Sequence, residues 1–236
     1  MVNLFAKPYK AVRQNIIRWL ALKTLRFRSS AVGEVALKMV EQCHCARPDE
    51  AVIVLEYGGG SSTLIVGKSQ LVKQLICVES DIAFGSAIWT GAAHLGWTDK
   101  LRLIISVYEH RWFGIPSEKL CNDQSSLASI CDAYTDSCSS IWSGSGLLPS
   151  LVIVDGRFRM ACVLTTLLNC IRMHHNCYIL VDDFYSAGHA PSYSACGAWF
   201  SRSERFGNLL VLEAKDCVLG LDEVVALRRK YGTDWK

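Results

Sequence analysis

No stretch of the 236 residues approaches the roughly 20 consecutive apolar residues that cross a bilayer, so the sequence offers no transmembrane helix. Spaced C-x-x-C pairs are also missing. Cys43-His44-Cys45 and His174-His175-x-Cys177 do not have the ligand spacing of a structural zinc site. The eleven cysteines are odd in number, and Cys77, Cys162 and Cys177 fall within apolar runs. With no secretory-type segment read ahead of them, the expectation is buried free thiols in a reducing cytoplasm. Acidic residues are absent from 1–28, which carry Lys7, Lys10, Arg13, Arg18, Lys23, Arg26 and Arg28. Against a net charge of +3, the remainder is therefore mildly acidic, which argues against a broad nucleic-acid surface. No internal repeat is present.

The basic segment has a pattern of its own. Val12, Ile16, Ile17, Leu20 and Leu25 recur at roughly helical spacing, so 1–34 is read as a basic amphipathic helical extension. Such a helix either packs over a cleft or makes peripheral contact with an anionic membrane surface. Residues 35–236 are read as one α/β domain, since half of the chain is hydrophobic and its length can bury one large core.

The most informative run is Val52-Ile53-Val54-Leu55-Glu56-Tyr57-Gly58-Gly59-Gly60-Ser61-Ser62-Thr63. Four apolar residues, an acid and a glycine turn read as a central parallel strand that opens into a helix. Glycines permit the sharp turn and a close approach of ligand to backbone. The dinucleotide fingerprint G-x-G-x-x-G is incomplete, because Gly58 and Gly60 fit but the third position is Thr63. A carboxylate two residues before the first glycine would repel a pyrophosphate and suits an ammonium group. Downstream, Gln74-Leu75-Ile76-Cys77-Val78-Glu79-Ser80-Asp81 is a second strand ending in acid, where ribose hydroxyls are met in such folds.

Further elements keep the βα order. Ile82 to Leu95 reads as a helix and Leu101 to Val107 as a third strand. Residues 117–150, rich in Ser, Asp and Cys, read as a polar insertion or lid. Leu151 to Val154 ends at Asp155, an Ala161 to Met173 helix follows, and Cys177 to Val181 ends at Asp182 and Asp183. Leu209 to Ala214 is the last clear strand and Leu221 to Tyr231 the closing helix, where Arg228, Arg229 and Lys230 complement the helix dipole. Parallel strands would bring Glu56, Glu79, Asp155 and Asp182 to one rim of the sheet. Arg157 and Arg159 stand beside that rim, suited to a substrate anion or to the neighbouring acids. His110 and His189 are general-base candidates by type. An aromatic wall is expected from Tyr185, Tyr193, Trp199 and Phe200.

Glu56-x-Gly58-x-Gly60 resembles the first motif of class I S-adenosylmethionine-dependent methyltransferases. With Val78-Glu79-Ser80-Asp81, Trp112-x-Gly114-x-Pro116, Val154-Asp155-Gly156-Arg157-Phe158-Arg159 and Val181-Asp182-Asp183-Phe184, residues 35–215 resemble a bacterial family of methyltransferase-like proteins. The resemblance implies a Rossmann-like doubly wound, mostly parallel sheet of about seven strands. It implies S-adenosylmethionine held by Glu56, Tyr57, Gly58, Gly59, Gly60, Ser61, Glu79, Ser80 and Asp155. Asp155, Asp182 and Arg157 become catalytic candidates toward a small-molecule substrate. Asp155, Asp182 and Asp183 are also similar in position to the magnesium-binding acids of catechol-type O-methyltransferases, leaving a metal-assisted O-methylation open. A nicotinamide-dependent oxidoreductase and a non-catalytic Rossmann-like binding protein stay as alternatives.

Overall fold

Val52–Tyr57 (β1) forms the central strand because every one of its residues is buried and its apolar side chains serve both sheet faces. A computed structural model describes residues 31–111, 114–143, 148–185 and 191–234. The basic segment 1–28, Trp112 and His189 lie outside these residues. Around β1, the described strands Val72–Glu79 (β2), Leu101–Ile105 (β3), Leu151–Val154 (β4), Tyr178–Val181 (β5), Ser203–Phe206 (β6) and Leu209–Glu213 (β7) form one sheet. Its order is β3-β2-β1-β4-β5-β7-β6. The pairs among β1 to β5 are parallel, and β7 runs antiparallel to both β5 and β6. This is the Rossmann-like, mostly parallel seven-stranded sheet that the motifs imply.

The period-2 alternation of a strand divides the core into two layers. Val52 and Val54 of β1 pack with Val32, Ala36, Met39 and Val40 of helix Ala31–Ala46 (α1). The same layer takes Val66 of Ser61–Gly67 (α2) and Ile88 and Ala92 of Ile82–Leu95 (α3). Ile53, Leu55 and Tyr57 face the other layer, built by Gln124–Thr135 (α4), Arg159–Met173 (α5) and Leu221–Tyr231 (α6). Helices thus cover both faces, as a buried parallel sheet requires.

Helix α1 begins before residue 35, so the first described element of the folded domain starts at Ala31. Where it is described, the stretch 117–150 is built of helices rather than irregular chain. Glu118–Cys121, α4 and Ser139–Trp142 are helical, and Leu127, Cys131, Tyr134, Ile141 and Trp142 enter the main core. Most of its polar residues face outward or cap, though Thr135 and Ser150 are buried. Asp123 Oδ1 accepts from the N–H groups of Ser125 and Ser126 at 3.1 Å. Strand β6 escaped the sequence reading because Ser203, Glu204, Arg205 and Phe206 are all exposed, as a charged edge strand can be. All eleven cysteines are free and eight of them are buried, in keeping with small apolar core residues. Among the described residues no helix is long and apolar enough to cross a membrane, and no group of His, Cys, Asp and Glu forms a metal-binding cluster.

Candidate functional site at the carboxyl edge of the sheet

β1 has β2 on one side and β4 on the other, so the chain direction of the sheet's construction reverses there and a crevice opens beyond the strand ends. A cleft of about 680 Å³ occupies that place. Gly58, Gly59, Gly60 and Ser61 form its floor beside Glu79 and Ser80, and Asp155, Arg157, Asp182 and Asp183 stand across from them. The fold thus gathers most of the expected site residues. Arg159, expected beside the rim, lines it too, and the fold adds Phe84, Tyr134 and Asn208, which no motif had marked.

The first turn is shaped by a close backbone crossing. Gly58 has φ +85°, and a β-carbon on it would meet the Gly156 Cα and N at 2.3 Å. Only glycine fits at that crossing. Gly60 then caps α2, its N–H donating to Thr63 Oγ1 at 2.8 Å. Thr63 therefore has a structural job at the position where a dinucleotide fold has its third glycine.

Glu56 and Tyr57 are not on the cleft wall. Alternation sends Tyr57 into the layer of α4 and α5, where its hydroxyl donates to Thr135 O at 3.1 Å and lies 2.9 Å from Cys138 Sγ. Glu56 points the other way and is fully enclosed beneath the turn. Its Oε1 accepts from Ser62 Oγ at 2.5 Å, while Oε2 has no partner. Burial pushes its carboxyl up to about 7, against the hydrogen bonds from Ser62 and Thr63.

Glu79 does reach the cleft. Its Oε1 accepts from the N–H groups of Ser80 at 2.7 Å and Asp81 at 3.0 Å, and Oε2 accepts from Gly59 N–H at 3.1 Å. One carboxylate thus ties the β2 end to the glycine turn, and Oε2 keeps acceptor capacity for a further donor. Burial raises its carboxyl above the usual range, opposed by those backbone bonds. Ser80 is held beside it, and Asp81 caps α3 by accepting from Ala83 and Phe84 N–H.

On the far wall, Val154 of β4 pairs with Val181 of β5, so Asp155 and Asp182 leave the sheet in register. Burial first, and then the Asp182 charge, hold the Asp155 carboxyl well above its ordinary value. Arg159 lies alongside, only 6% exposed, with Nη2 3.8 Å from Asp155 Oδ1 and 3.5 Å from Asp183 Oδ2. A hydrogen bond to Tyr193 holds it further. The Arg157 guanidinium, also on the wall, is lowered by burial and by the like charge of Arg159. Among the described residues, two of the three non-glycine positions with positive φ frame this wall, Phe158 at 55° and Asp183 at 54°. Phe158 is fully buried and packs at 6.0–6.1 Å against the rings of Tyr108 and Tyr134. That packing offsets the strain of its backbone and fixes the turn between Asp155 and Arg159.

The aromatic wall expected from the later loop is not formed. Tyr193, Trp199 and Phe200 are core residues, and Tyr185 is half-exposed under Arg205, whose guanidinium sits 4.1 Å from the ring centroid. His110 lies off the cleft wall, with Nδ1 2.7 Å from Arg111 O and Nε2 4.0 Å from Asp81 Oδ2.

The same fold occurs in a methyltransferase-like protein from Silicibacter pomeroyi. It is 20% identical with a TM-score of 0.59, over 89% of this chain and 97% of that one. The O-methyltransferase TomG from Streptomyces achromogenes is more distant, at 14% identity and TM-score 0.47, covering 78% of this chain and 81% of that one. An O-methyltransferase from Bacillus cereus stands at 10% identity and TM-score 0.49, over 89% and 92%. No protein-family model and no curated protein matches the sequence. The likeness to the Silicibacter pomeroyi protein is one of fold, a Rossmann-like, mostly parallel seven-stranded sheet.

Proposed function

We propose that the protein is an S-adenosylmethionine-dependent methyltransferase acting on a small molecule. The observation that carries this reading is the pair of acids on the two sides of the glycine turn. Glu56 is enclosed beneath it and Glu79 is tied to Gly59 while retaining an acceptor lone pair on the cleft. This arrangement suits a ligand with a ribose and a cationic end, and it disfavours a pyrophosphate. Gly58, Gly59, Gly60 and Ser61 would hold the amino-acid portion through their backbone, with Glu79 and Ser80 at the ribose. Glu56 would act from below by fixing the start of α2.

When bound, the cofactor supplies a methyl group on a sulfonium centre, open to in-line displacement. The chain must then align an acceptor and remove its proton. Burial and the neighbouring Asp182 charge hold the Asp155 carboxyl well above its ordinary value, so Asp155 is the group on this wall suited to exchange a proton with the acceptor. Arg157 on the same wall would orient an acceptor-bearing molecule. A divalent metal does not fit the carboxylates as they stand, because the Arg159 guanidinium already lies between Asp155 and Asp183.

Calorimetric titration with S-adenosylmethionine, its demethylated product and NAD tests the reading. Binding of the first two without NAD supports it. Binding of NAD alone transfers the chain to nicotinamide chemistry, and silence toward all three ligands removes the enzymatic reading. Asp155→Asn should then bind the cofactor as the wild type does while losing turnover in a substrate screen.

A further inference from the structure

The acidic wall presents three carboxylates from two adjacent strand ends, an arrangement that ordinarily invites a hard cation. Its geometry is already committed. Arg159, the first residue of α5, leaves the positive-φ turn at Phe158 and runs back along the wall with 6% exposure. Its Nη2 stands between Asp155 Oδ1 at 3.8 Å and Asp183 Oδ2 at 3.5 Å, and Tyr193 hydrogen-bonds the same side chain.

A magnesium ion would need oxygens from these carboxylates at about 2.1 Å in near-octahedral order. The carboxylates would have to converge on a point within contact distance of the guanidinium. Two like-signed cations would then share one partly buried site, and the guanidinium is permanently charged and cannot yield by losing a proton.

We infer that Arg159 is the resident cation of this wall, taking the place of a divalent metal and holding Asp155 and Asp183 in position. Arg159 is thus a positioning residue, and the site works without magnesium. The reaction assigned to that site rests on the function proposed above, whereas the exclusion of metal by Arg159 stands on the side chains alone.

Manganese is the probe, because binding broadens the electron paramagnetic resonance signal of the free ion and requires neither cofactor nor turnover. The full chain is titrated as wild type, Arg159→Gln and Asp183→Asn. Gln keeps a hydrogen-bonding side chain of similar reach without the charge. The wild type should leave manganese free up to millimolar concentration. Arg159→Gln, with near-UV circular dichroism showing a native fold, should bind at least tenfold more tightly, and adding Asp183→Asn should abolish that gain. Equal occupancy in the wild type and in Arg159→Gln, whether high or absent, overturns the inference. If Arg159→Gln does not fold, the wild type decides alone. Submillimolar binding lost in Asp183→Asn overturns the inference, and no binding supports it. A failure of S-adenosylmethionine to bind would leave these outcomes unchanged, so the two readings fall separately.

Discussion

Gly58 and Gly156 stand back to back across the crevice between β1 and β4: a β-carbon on Gly58 would lie 2.3 Å from the Gly156 Cα, and one on Gly156 would lie 2.5 Å from the Tyr134 hydroxyl. The two clashes differ in kind, since the first is against backbone and the second against the end of a side chain. Gly58 also has φ +85°, which a β-carbon penalises. Gly58→Ala should cost about 3 kcal/mol and lower Tm by roughly 10 °C. Gly156→Ala should cost about 1–2 kcal/mol. Tyr134→Phe should recover part of the loss in Gly156→Ala and none in Gly58→Ala, as read by thermal denaturation. Equal rescue of both would contradict this packing.

Glu56 ties stability to pH. Its folded value near 7 lies above the ordinary 4.5, so the folded state holds a proton that the unfolded chain has released. Stability should therefore fall as pH rises from about 4.5 to 7, by up to about 3 kcal/mol from this group. Glu56→Gln removes the titration. The gap between variant and wild type should shift in favour of Gln across that window and stay level above pH 8. Urea unfolding at several pH values checks it, and parallel curves would remove the ionisable role given to Glu56.

Arg228 joins three helices. Its Nε donates to Thr165 Oγ1 at 2.8 Å and its Nη2 to Thr135 Oγ1 and Asp136 Oδ1, each at 2.9 Å, with Asp132 at 3.1 Å. Arg228→Ala should cost about 2 kcal/mol, and Arg228→Lys should restore less than half, because an ammonium cannot serve that fan of acceptors. Arg229→Ala, one residue on, is the control and should change stability by no more than about 0.5 kcal/mol.

Trp142 distinguishes a lid from a core segment. It is 2% exposed and belongs to the main apolar cluster. Trp142→Ala should cost about 3–5 kcal/mol in equilibrium unfolding. A loss of ligand affinity with unchanged stability would return 117–150 to the role of a movable cover.

Strands that are apolar on both faces were legible, because β1, β4 and β5 carry continuous runs that no amphipathic element requires. Helices Ile82–Leu95 and Leu221–Tyr231 have the bounds that the pattern predicts. Two classes of element stayed hidden. β6 has no buried residue to leave a period, and α4 places four buried residues among serines and aspartates. The site was legible as a rim of acids, since strand ends and parallel direction are sequence-level facts. The direction of each side chain was not. Tyr57 and Glu56 are neighbours in the motif and point to opposite layers by alternation, and Arg159 reaches Asp155 through a turn fixed by a positive-φ phenylalanine. Arg228, whose position suggested only a dipole interaction, takes its partners from helices far apart in sequence.

The crevice also has a history in time. Its floor and its far wall meet where Val54 of β1 pairs with Leu151 of β4, with about a hundred residues of chain between them. β1, β2 and β3 can associate early, but each parallel pairing must close a long loop, and the β1–β4 closure is the longest of these in the central sheet. During synthesis the glycine turn therefore emerges well before the strand that completes its pocket, leaving one apolar edge of β1 unpaired until Leu151–Val154 has left the ribosome. Ligand contacts that span both walls arise only after that closure, so they favour the finished sheet and give no assistance to its nascent half.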